Sequence, residues 1–598
     1  MSKNKFLVGS LLFVFLFLLT LLAILVNYHL NQPQFMTSAT QLLSDPFLQL
    51  PTPTSVRVVW FTDFPGSRHA VNYGGRLQQT TPAFTTKLSR IREDQKSRVG
   101  SQTEDGQIYP QPVPRDIWRH EATVTGLTLR KKVPYQVISW RENGEEISSG
   151  VFSLSPTPPP GSNLKILLTS DHQLKPMTAA NLQKVAETIG QVDAIFMAGD
   201  LVDIPDRASE WFDDNRGCAF FACLQGRGNY LLEKEGIVTV YHGGSLIQNA
   251  PIFPAIGNHE VMGRYSSKRD LNYQFNDPHP LSVAENYYQL AAAQINPRQD
   301  PLVKEAWLKA NSFNTDTYEE IFTLPTNISG QNKYYAVTFG DVRLISLFVT
   351  NIWRSPTLED WAVGRYRERT QDLNHPENWG YGQHIFEPIV KGSSQYNWLE
   401  KELASPEFKQ AKYKVVMFHH PAHTLGDNIV PAYTDPQQII EYDQSGKIKS
   451  IRYEYPLGED YIIRDLIPLL EKAKVDLIFY GHSHLWNRFV SPSGMNFLES
   501  SNVGNTYGAY LGEQKRPIPS GYREKYVAVG DPNQLEAIVP TIDPLLAENN
   551  QSLPYIASND ITVFSILDTG KGTVSSYRFD TRKPNSEVVK FDEFSLNK

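Results

Sequence analysis

The chain has 598 residues and a formal net charge of -7 at neutral pH. A chain of this length can form two or more domains, each with its own core. The acidic balance offers no broad basic face, so it argues against a nucleic-acid partner and leaves the class of small-molecule partner open.

An apolar stretch near the start of the chain runs from Phe6 to Val26, and Lys3 and Lys5 precede it. It is long enough to cross a bilayer as a helix. No A-x-A cleavage pattern follows it, which favours an uncleaved anchor within residues 1–30 over a signal peptide removed on secretion. With the lysines inside, the sequence predicts a single-pass protein of the cell membrane whose part from Asn27 onward lies on the extracytoplasmic side.

Short segments rich in Val, Tyr and Trp follow at residues 45–156, and Gly, Pro and Asn separate them. The pattern predicts a small all-β sandwich, and its segment LTLRKKVPYQVISW resembles part of a fibronectin type III domain. Residues 81–115 are polar and predict a long loop. The segment SPTPPPGSN at 155–163 then predicts a stiff linker between domains.

From Leu164 onward, strands alternate with amphipathic helices. Apolar residues recur at helical spacing in segments that begin at Leu182, Trp398 and Ile462. YYAVTF and VRLISLFV, on either side of Gly340, predict a β-hairpin. We therefore predict an α/β fold over residues 164–598, an α+β sandwich with central mixed β-sheets flanked by helices.

Three long insertions interrupt this domain, at residues 205–250, 262–330 and 427–460. They contain many aromatic residues, so we expect them to form packed surface structure that walls the pocket. The first insertion holds Cys218 and Cys223. These either form a disulfide in an oxidising compartment or remain two small buried residues.

Five short motifs rich in Asp, Asn and His each follow an apolar segment that predicts a buried strand. They are SDHQ at 170–173, GDLVD at 199–203, GNHE at 257–260, FHHP at 418–421 and GHSH at 481–484. In layered α/β domains, ligands collect outside the carboxyl ends of the strands, so we expect the motifs to converge on one pocket. Oxygen and imidazole groups in this number indicate a cluster of divalent metal ions.

The order of these motifs resembles the calcineurin-like metallophosphoesterase superfamily, whose pattern is D-x-H, G-D, G-N-H-[DE], H and G-H-x-H. The β-module and proline-rich linker ahead of them make the chain resemble the purple acid phosphatase branch. The resemblance covers the chain from about residue 45 to the end. It implies the metallophosphoesterase fold and a pair of divalent metal ions, which could be Mn, Fe, Zn or Mg.

By this resemblance, Asp200 bridges the two metals, because a carboxylate can bind both at once. The other implied ligands are Asp171 and His484 for the first metal, and Asn258, His419 and His482 for the second. His482 and His484 are two positions apart, and in extended backbone their rings would point the same way. His420 and His423 follow the implied ligand His419 in the chain. They would line the pocket wall or contact the substrate, or else form a polar surface lining.

The resemblance also assigns His259, which follows the ligand Asn258. Its imidazole would protonate the leaving alkoxide or steady the phosphoryl oxygens. The alternative is a structural histidine that supports the ligands. Glu260 would orient His259.

Two positions depart from the family patterns. Gln173 stands where the superfamily has a histidine ligand, and His172 cannot replace it, because adjacent residues on a strand point to opposite faces. A first metal site with a neutral carbonyl oxygen would bind its ion loosely, favour Mn or Mg over Zn, or lose it. Asp203 stands where purple acid phosphatases have a tyrosine that binds ferric iron, so we expect a colourless protein. Asp203 would either assist the first site or cap a turn.

The function implied is that of a metal-dependent phosphoester hydrolase acting on a small phosphorylated substrate. A phosphomonoesterase, in which a hydroxide activated by both metals attacks phosphorus and His259 assists the leaving group, is the first interpretation. A phosphodiesterase or nucleotidase is the second. A surface binding or sensor protein that keeps the fold without turnover is a third, and the missing histidine at Gln173 motivates it.

Overall fold

The computed structural model describes residues 41–103, 105–106, 108–326, 332–355, 363–522, 528–542, 545–546 and 552–596. The chain divides into two units, Met1–Gln41 and Leu42–Lys598, and Gln41 is the only described residue of the first. The predicted membrane anchor lies outside the described residues and stays a prediction. Among the described residues, no helix combines the length and apolar character needed to cross a membrane.

Two larger antiparallel sheets and one two-stranded sheet form the part of the chain from Phe47 to Leu154. Its strands are β1 (Phe47–Gln49), β2 (Val56–Thr62), β3 (Arg68–Tyr73), β4 (Gln79–Pro82), β5 (Phe84–Lys87), β6 (Arg92–Glu93), β7 (Val113–Pro114), β8 (Trp118–Val124), β9 (Val133–Trp140), β10 (Glu146–Ser148) and β11 (Phe152–Leu154). One sheet has the order β1-β2-β8-β5, and the other has the order β10-β9-β3-β4 with β11 also paired to β9. Trp60 and Val137, from different sheets, share one buried core. The narrower fibronectin type III assignment and the boundaries at 156 and 164 stay predictions.

Three strands, β5, β6 and β7, lie within residues 81–115, where the sequence pattern predicted a loop. Strand β5 pairs with β8 at the edge of its sheet. Its first residue, Phe84, is 73% exposed, and no residue of the strand is buried. A strand with no buried apolar face has no alternating hydrophobic pattern, so the sequence at β5 predicted a loop.

The larger part of the chain carries the remaining strands and helices. They are β12 (Lys165–Thr169), α1 (Thr178–Ile189), β13 (Ala194–Met197), α2 (Ala208–Phe212), α3 (Phe220–Leu224), β14 (Tyr230–Lys234), β15 (Ile237–Tyr241), β16 (Ile252–Pro254), α4 (Leu271–Phe275), α5 (Leu281–Ile295), α6 (Pro301–Asn311), α7 (Asp316–Ile321), β17 (Tyr335–Phe339), β18 (Val342–Ser346), α8 (Ser394–Leu403), α9 (Pro406–Gln410), β19 (Tyr413–Met417), β20 (Gln437–Tyr442), β21 (Ile448–Glu454), α10 (Ile467–Lys472), β22 (Leu477–Tyr480), β23 (Trp486–Val490), β24 (Asn496–Ser500), β25 (Leu545–Leu546), β26 (Ser552–Leu553), β27 (Tyr555–Ile556), β28 (Ile561–Asp568), β29 (Thr573–Asp580) and β30 (Val589–Ser595). Short 3-10 helices span Asn258–Glu260, Thr370–Asp372, Pro376–Asn378 and Leu457–Glu459, and a π-helical turn spans Ile462–Leu466.

Two mixed sheets form the centre of this part. Their strand orders are β16-β13-β12-β28-β29-β30 and β17-β18-β19-β22-β24-β23-β27. Strands β16, β13 and β12 run parallel in the first sheet, and β18, β19, β22 and β24 run parallel in the second. Side chains of both sheets, such as Leu167 and Val415, meet in one buried core. The predicted mixed-sheet α/β fold is confirmed.

Local signals in the sequence placed several of these elements correctly. Helix α1 ends at Gly190, whose φ of 74° is in the left-handed region that glycine adopts without steric cost. Strands β17 and β18 form the predicted hairpin, with Phe339 opposite Val342. Strand β28 lies between β12 and β29, and the last three strands of the chain, β28, β29 and β30, make up half of the first sheet.

Four aromatic residues of the first insertion, Trp211, Phe212, Phe220 and Phe221, lie in the core, and for them the expectation of a pocket wall is wrong. The rings of Phe212 and Phe221 stack with centroids 5.4 Å apart. Both contact Phe61 of β2, at 4.9 and 5.3 Å. Large aromatic side chains bury more apolar surface against the β-strands than a pocket wall would allow, so packing decides their position.

The two cysteines of this insertion are bonded to each other in the structure. Both side chains are buried on either side of Phe220 and Phe221. Of the two alternatives from the sequence, the structure has the disulfide.

Candidate metal centre

The five motifs meet at one edge of the two central sheets. The first sheet contributes the residues that follow β12, β13 and β16, and the second contributes those that follow β19 and β22. All five strands belong to the parallel parts of their sheets, so their carboxyl ends point to the same edge. The side chains brought together are Asp171, Asp200, Asn258, His419, His482 and His484.

These side chains form two groups that share one carboxylate. The first group is Asp171, Asp200 and His484, and the second is Asp200, His419 and His482. Within each group, every residue offers a ligand atom within 4.8 Å of the others. All the members are buried. The partition is the one that the motif resemblance implies, with Asp200 in the bridging position.

The second group has the closer contacts. His419 Nε2 lies 3.1 Å from Asp200 Oδ2, 3.2 Å from Asn258 Oδ1 and 3.0 Å from His482 Nδ1. Four ligand-type atoms of different residues therefore converge on one small volume. Nitrogen and oxygen atoms in such an arrangement suit Zn, Fe or Mn.

Hydrogen bonds outside the groups leave the ligand nitrogens available. His419 Nδ1 lies 2.8 Å from Ala198 O, and His484 Nδ1 lies 2.9 Å from Asn505 O. A ring that donates Nδ1–H to a carbonyl presents Nε2 with its lone pair, as metal-binding histidines do. His484 Nε2 faces Asp171 Oδ1 at 3.4 Å. The residues therefore fit a metal pair by donor type, burial and tautomer.

Gln173 lies beside the carboxylate of Asp200, which the two groups share. Its Nε2 donates to Asp200 Oδ2 at 2.9 Å, and its Oε1 is buried with no hydrogen-bond partner among the described residues. A buried carbonyl oxygen without a partner costs free energy unless it finds a water or an ion. Gln173 can thus offer an oxygen to the first group, but not an imidazole.

The backbone of the ligand residues is left-handed at four positions. The φ angles are 59° at Asp171, 55° at Asp200, 84° at His482 and 54° at His484. Positive φ is uncommon outside glycine and concentrates at functional sites, where surrounding structure maintains the strain. The prediction of extended backbone at His482 and His484 is therefore wrong. Both imidazoles reach the site from a tight loop after β22 instead.

Glycines allow the loops to approach one another. A Cβ on Gly199 would lie 2.6 Å from Gly257 N and 2.9 Å from His419 Nδ1. A Cβ on Gly257 would lie 2.7 Å from Asp200 N and also 2.9 Å from His419 Nδ1. Real side chains do not sit this close, so both motif glycines are required by the packing of the loops.

Glu260 supports the loop that carries Asp200 and does not orient His259. Its carboxylate accepts backbone N–H groups of Asp200 at 2.8 Å, Leu201 at 2.7 Å and Gly257 at 2.7 Å. The expectation that Glu260 orients His259 is therefore wrong. A buried carboxylate that accepts several N–H groups satisfies backbone donors that two neighbouring loops would otherwise leave unpaired.

The backbone carbonyl of Asp203 orients His259 instead. His259 Nδ1 lies 2.6 Å from Asp203 O, and its ring packs against Phe275 with centroids 4.9 Å apart. The backbone N–H of His259 donates to Asp200 Oδ1 at 2.9 Å. With Nδ1–H donated to the carbonyl, Nε2 is the nitrogen available at the cavity that His259 lines.

Charge in the site centres on Asp200. Burial favours the neutral acid, but the charges of His419 and His259 outweigh it and hold the pKa of Asp200 below its ordinary value. Burial opposes the charged form of His419, yet Asp200 raises its pKa to about 10. Metal binding at Nε2 would displace the proton that Asp200 retains on His419.

A cavity of about 250 Å³ opens over these groups. Its wall includes residues that the sequence analysis did not single out: Phe275, Asn276, Pro278, Ile352, Trp353, Phe386, Asn428, Asn505 and Tyr507. The second and third insertions reach it through Phe275 and Asn428. Tyr507 stacks on His484 at 5.3 Å. The sequence contains a signal for Tyr507, because its segment NVGNTYG follows β24, a buried strand that runs parallel to β22.

Three other predicted positions lie outside the two metal-ligating groups. His420 is fully buried against Tyr433, and His423 is buried with Nδ1 2.7 Å from Asp531 Oδ2. Neither lines the cavity, so the pocket-wall and surface-lining interpretations are wrong. The Asp203 carboxylate is 45% exposed at the rim and belongs to neither of the metal-ligating groups found among the described residues.

Comparison with known proteins agrees with this arrangement. The family model for the calcineurin-like phosphoesterase matches residues 164–485, more than half of the chain. The chain belongs to the calcineurin-like phosphoesterase family. The predicted relation to its purple acid phosphatase branch is likewise confirmed.

Curated relatives of this chain include two from Arabidopsis thaliana. Purple acid phosphatase 21 is 26% identical over 23% of this chain and 28% of its own length. Probable purple acid phosphatase 20 is 25% identical over 31% of this chain and 43% of its own length. The chain thus spans less than half the length of these relatives. Among solved structures, purple acid phosphatase PPD1 from yellow lupin (Lupinus luteus) seeds is 16% identical, covers 92% of this chain and 73% of its own, and has a TM-score of 0.48.

Proposed function

We propose that the protein is a metal-dependent phosphomonoesterase with a pair of divalent metal ions at the groups that share Asp200. The proposal rests on two buried groups of ligand-type side chains. The first is Asp171, Asp200 and His484, and the second is Asp200, His419 and His482. When bound, such a pair acidifies a water molecule and neutralises the charge of a phosphate group. The purple acid phosphatases among the relatives support monoesters over diesters.

The protein's own residues would position the substrate and move a proton. Asn258 would hold the second metal with His419 and His482, and the cavity wall would orient the phosphoryl group beside Asp200. His259 Nε2 faces the same cavity, and the Asp203 carbonyl fixes its tautomer. A proton at that nitrogen would pass to the leaving alkoxide. Phe275 and Trp353 would keep bulk water away from the reacting group.

We also propose that the enzyme acts outside the cytoplasm, tethered to the cell membrane by residues 6–26. The disulfide between Cys218 and Cys223 supports an oxidising compartment, because reducing conditions in the cytosol disfavour such bonds. The uninterrupted apolar stretch supports tethering over secretion. Fractionation of cells with alkali extraction tests this: an integral protein stays in the pellet, and a released one contradicts the tether.

The full-length protein, purified in detergent and dialysed against Mn²⁺, tests the activity. We expect about two metal ions per chain and turnover of 4-nitrophenyl phosphate that exceeds turnover of bis(4-nitrophenyl) phosphate. A preference for the diester would replace the monoesterase assignment with a phosphodiesterase. Bound metal without turnover of either ester would support a binding or sensor protein instead.

A further inference from the structure

A second cavity lies directly beside the metal cavity. It has a volume of about 460 Å³. Both cavities are lined by Gln173, Lys175, Asp203 and Asn505, so they share one wall. The two cavities are neighbours on either side of these residues, so one elongated molecule could contact both.

The lining of the second cavity is cationic. Lys175, Arg216 and Lys234 line it, and Asp203 is the only acidic residue in its lining. Within the lining itself, three cations face one carboxylate. Clefts lined by one sign of charge concentrate ligands of the opposite sign.

Each cation already has a carboxylate neighbour, so the donors that remain decide what can bind. Lys234 Nζ donates to Asn559 O at 2.7 Å and to Asp560 Oδ1 at 2.9 Å, which leaves the third ammonium hydrogen without a partner among the described residues. Arg216 uses Nε and Nη2 on Asp214, at 2.8 Å each. Its Nη1 group then remains for a ligand.

Lys175 is the cation between the two cavities. Its Nζ lies 3.9 Å from Asp203 Oδ1, beyond hydrogen-bond range. The Asp203 carboxylate is 45% exposed and neutralises part of the lysine charge. An anionic ligand would compete with Asp203 for this ammonium group, and removal of the Asp203 charge should therefore favour the ligand.

We propose that the second cavity is a subsite for a second phosphoryl group, so that the preferred substrates are bisphosphorylated molecules. This inference rests on the proposed phosphoesterase function. One phosphoryl group lies at the metal groups, and the other receives N–H donors from Lys234, Arg216 and Lys175. Charge-assisted hydrogen bonds of this kind distinguish a dianionic group from a neutral hydroxyl.

A ladder of α,ω-alkanediol bisphosphates with two to six methylene groups tests the subsite on the full-length, manganese-loaded protein. Each compound is compared with the alkyl monophosphate of the same length. We expect one length at which KM for the bisphosphate is about tenfold lower than for the monophosphate. Equal KM values at every length would overturn the subsite. Turnover of neither series would instead overturn the proposed function.

Variants assign the preference to this cavity. We expect Lys234→Gln to reduce the KM ratio between monophosphate and bisphosphate about tenfold, and Arg216→Lys to reduce it less, because the charge remains. Lys590→Gln, on the edge strand β30, is the matched control and should leave both constants unchanged. A bisphosphate preference that survives in Lys234→Gln and Arg216→Lys would contradict this location.

Equilibrium binding gives an independent measurement. A non-hydrolysable alkane bisphosphonate of the preferred length, titrated by calorimetry, should bind the Lys234→Gln variant about tenfold more weakly than the unaltered protein. It should bind Asp203→Asn more tightly, because the competing carboxylate is gone. Unchanged affinity in both variants would overturn the proposal.

Discussion

The carboxylate of Glu260 accepts the backbone N–H of Asp200 at 2.8 Å, and Asp200 is the residue common to both groups of candidate ligands. Asp200 has a left-handed backbone with a φ of 55°, a conformation that is uncommon outside glycine. Glu260 therefore stabilises the conformation from which the shared carboxylate reaches two sites. The motif GNHE contributes support through its last residue as well as a ligand through its second.

The first prediction concerns this support. Glu260→Ala leaves three buried N–H groups unpaired, so we expect the free energy of unfolding to fall by about 3 kcal/mol and the metal content to fall with it. Urea unfolding and elemental analysis measure both. Glu377→Ala, which removes an exposed carboxylate, is the control and should change neither. A Glu260→Ala protein with normal stability would contradict the assigned role.

The second prediction separates the two metal groups. Asp200→Asn should lower the metal content from about two ions per chain toward none, whereas Asp171→Asn should lower it to about one. Asparagine has the size of aspartate, so the fold is kept, and circular dichroism verifies this. Asp203→Asn is the matched control, since its carboxylate lies at the rim. Equal loss in the Asp171 and Asp200 variants would contradict the bridging position.

The third prediction concerns Gln173. Gln173→His places an imidazole beside Asp171 and Asp200, so we expect the first site to bind Zn²⁺ at least about tenfold more tightly. Competition with a chromogenic chelator measures this affinity without reference to turnover. Gln173→Asn keeps an amide and should show no such gain. If histidine changes nothing, the amide oxygen is not next to the ion.

The fourth prediction concerns His259. His259→Ala should lower kcat for an alkyl phosphate about a hundredfold or more and leave the metal content at two. The loss should be much smaller for 4-nitrophenyl phosphate, because nitrophenolate leaves without a proton. Comparison of the two leaving groups distinguishes a proton donor from a residue that only supports the fold. An equal loss for both esters would contradict the general-acid role.

The fifth prediction concerns the close approach of the loops. Gly257→Ala should lower the free energy of unfolding by about 1–3 kcal/mol, because the new Cβ meets Asp200 N and His419 Nδ1. Gly458→Ala is the control, since a Cβ there has no atom within 4 Å. Thermal unfolding of the two variants measures the difference. Equal stability would show that the loops can separate.

Much of the site could be predicted because its signals are local. Each motif follows a buried strand, and the strand-end pattern predicts where Asp171, Asp200 and Asn258 meet the histidines. Tyr507 follows a strand of the same kind, but its segment has no histidine or aspartate to attract attention. The strand β5 was missed for the opposite reason, because it buries no apolar face.

Roles that depend on contacts between distant segments could not be predicted. Glu260 accepts a hydrogen bond from the backbone N–H of Leu201, 59 positions away, and no pattern in GNHE predicts that contact. Phe212 and Phe221 pack on Phe61 because the β-module provides apolar surface there. In isolation, an aromatic insertion is equally consistent with a pocket wall.

The sequence by itself determined the fold class, the family and the identity of the ligand-type residues, because hydrophobic periodicity and motif order are encoded within short segments. Tertiary structure alone decided that Glu260 supports the loop that carries Asp200. It also decided that Lys175, Arg216 and Lys234 line one cavity. These relationships join residues far apart in the chain, and they exist only when packing of the two sheets brings the loops together.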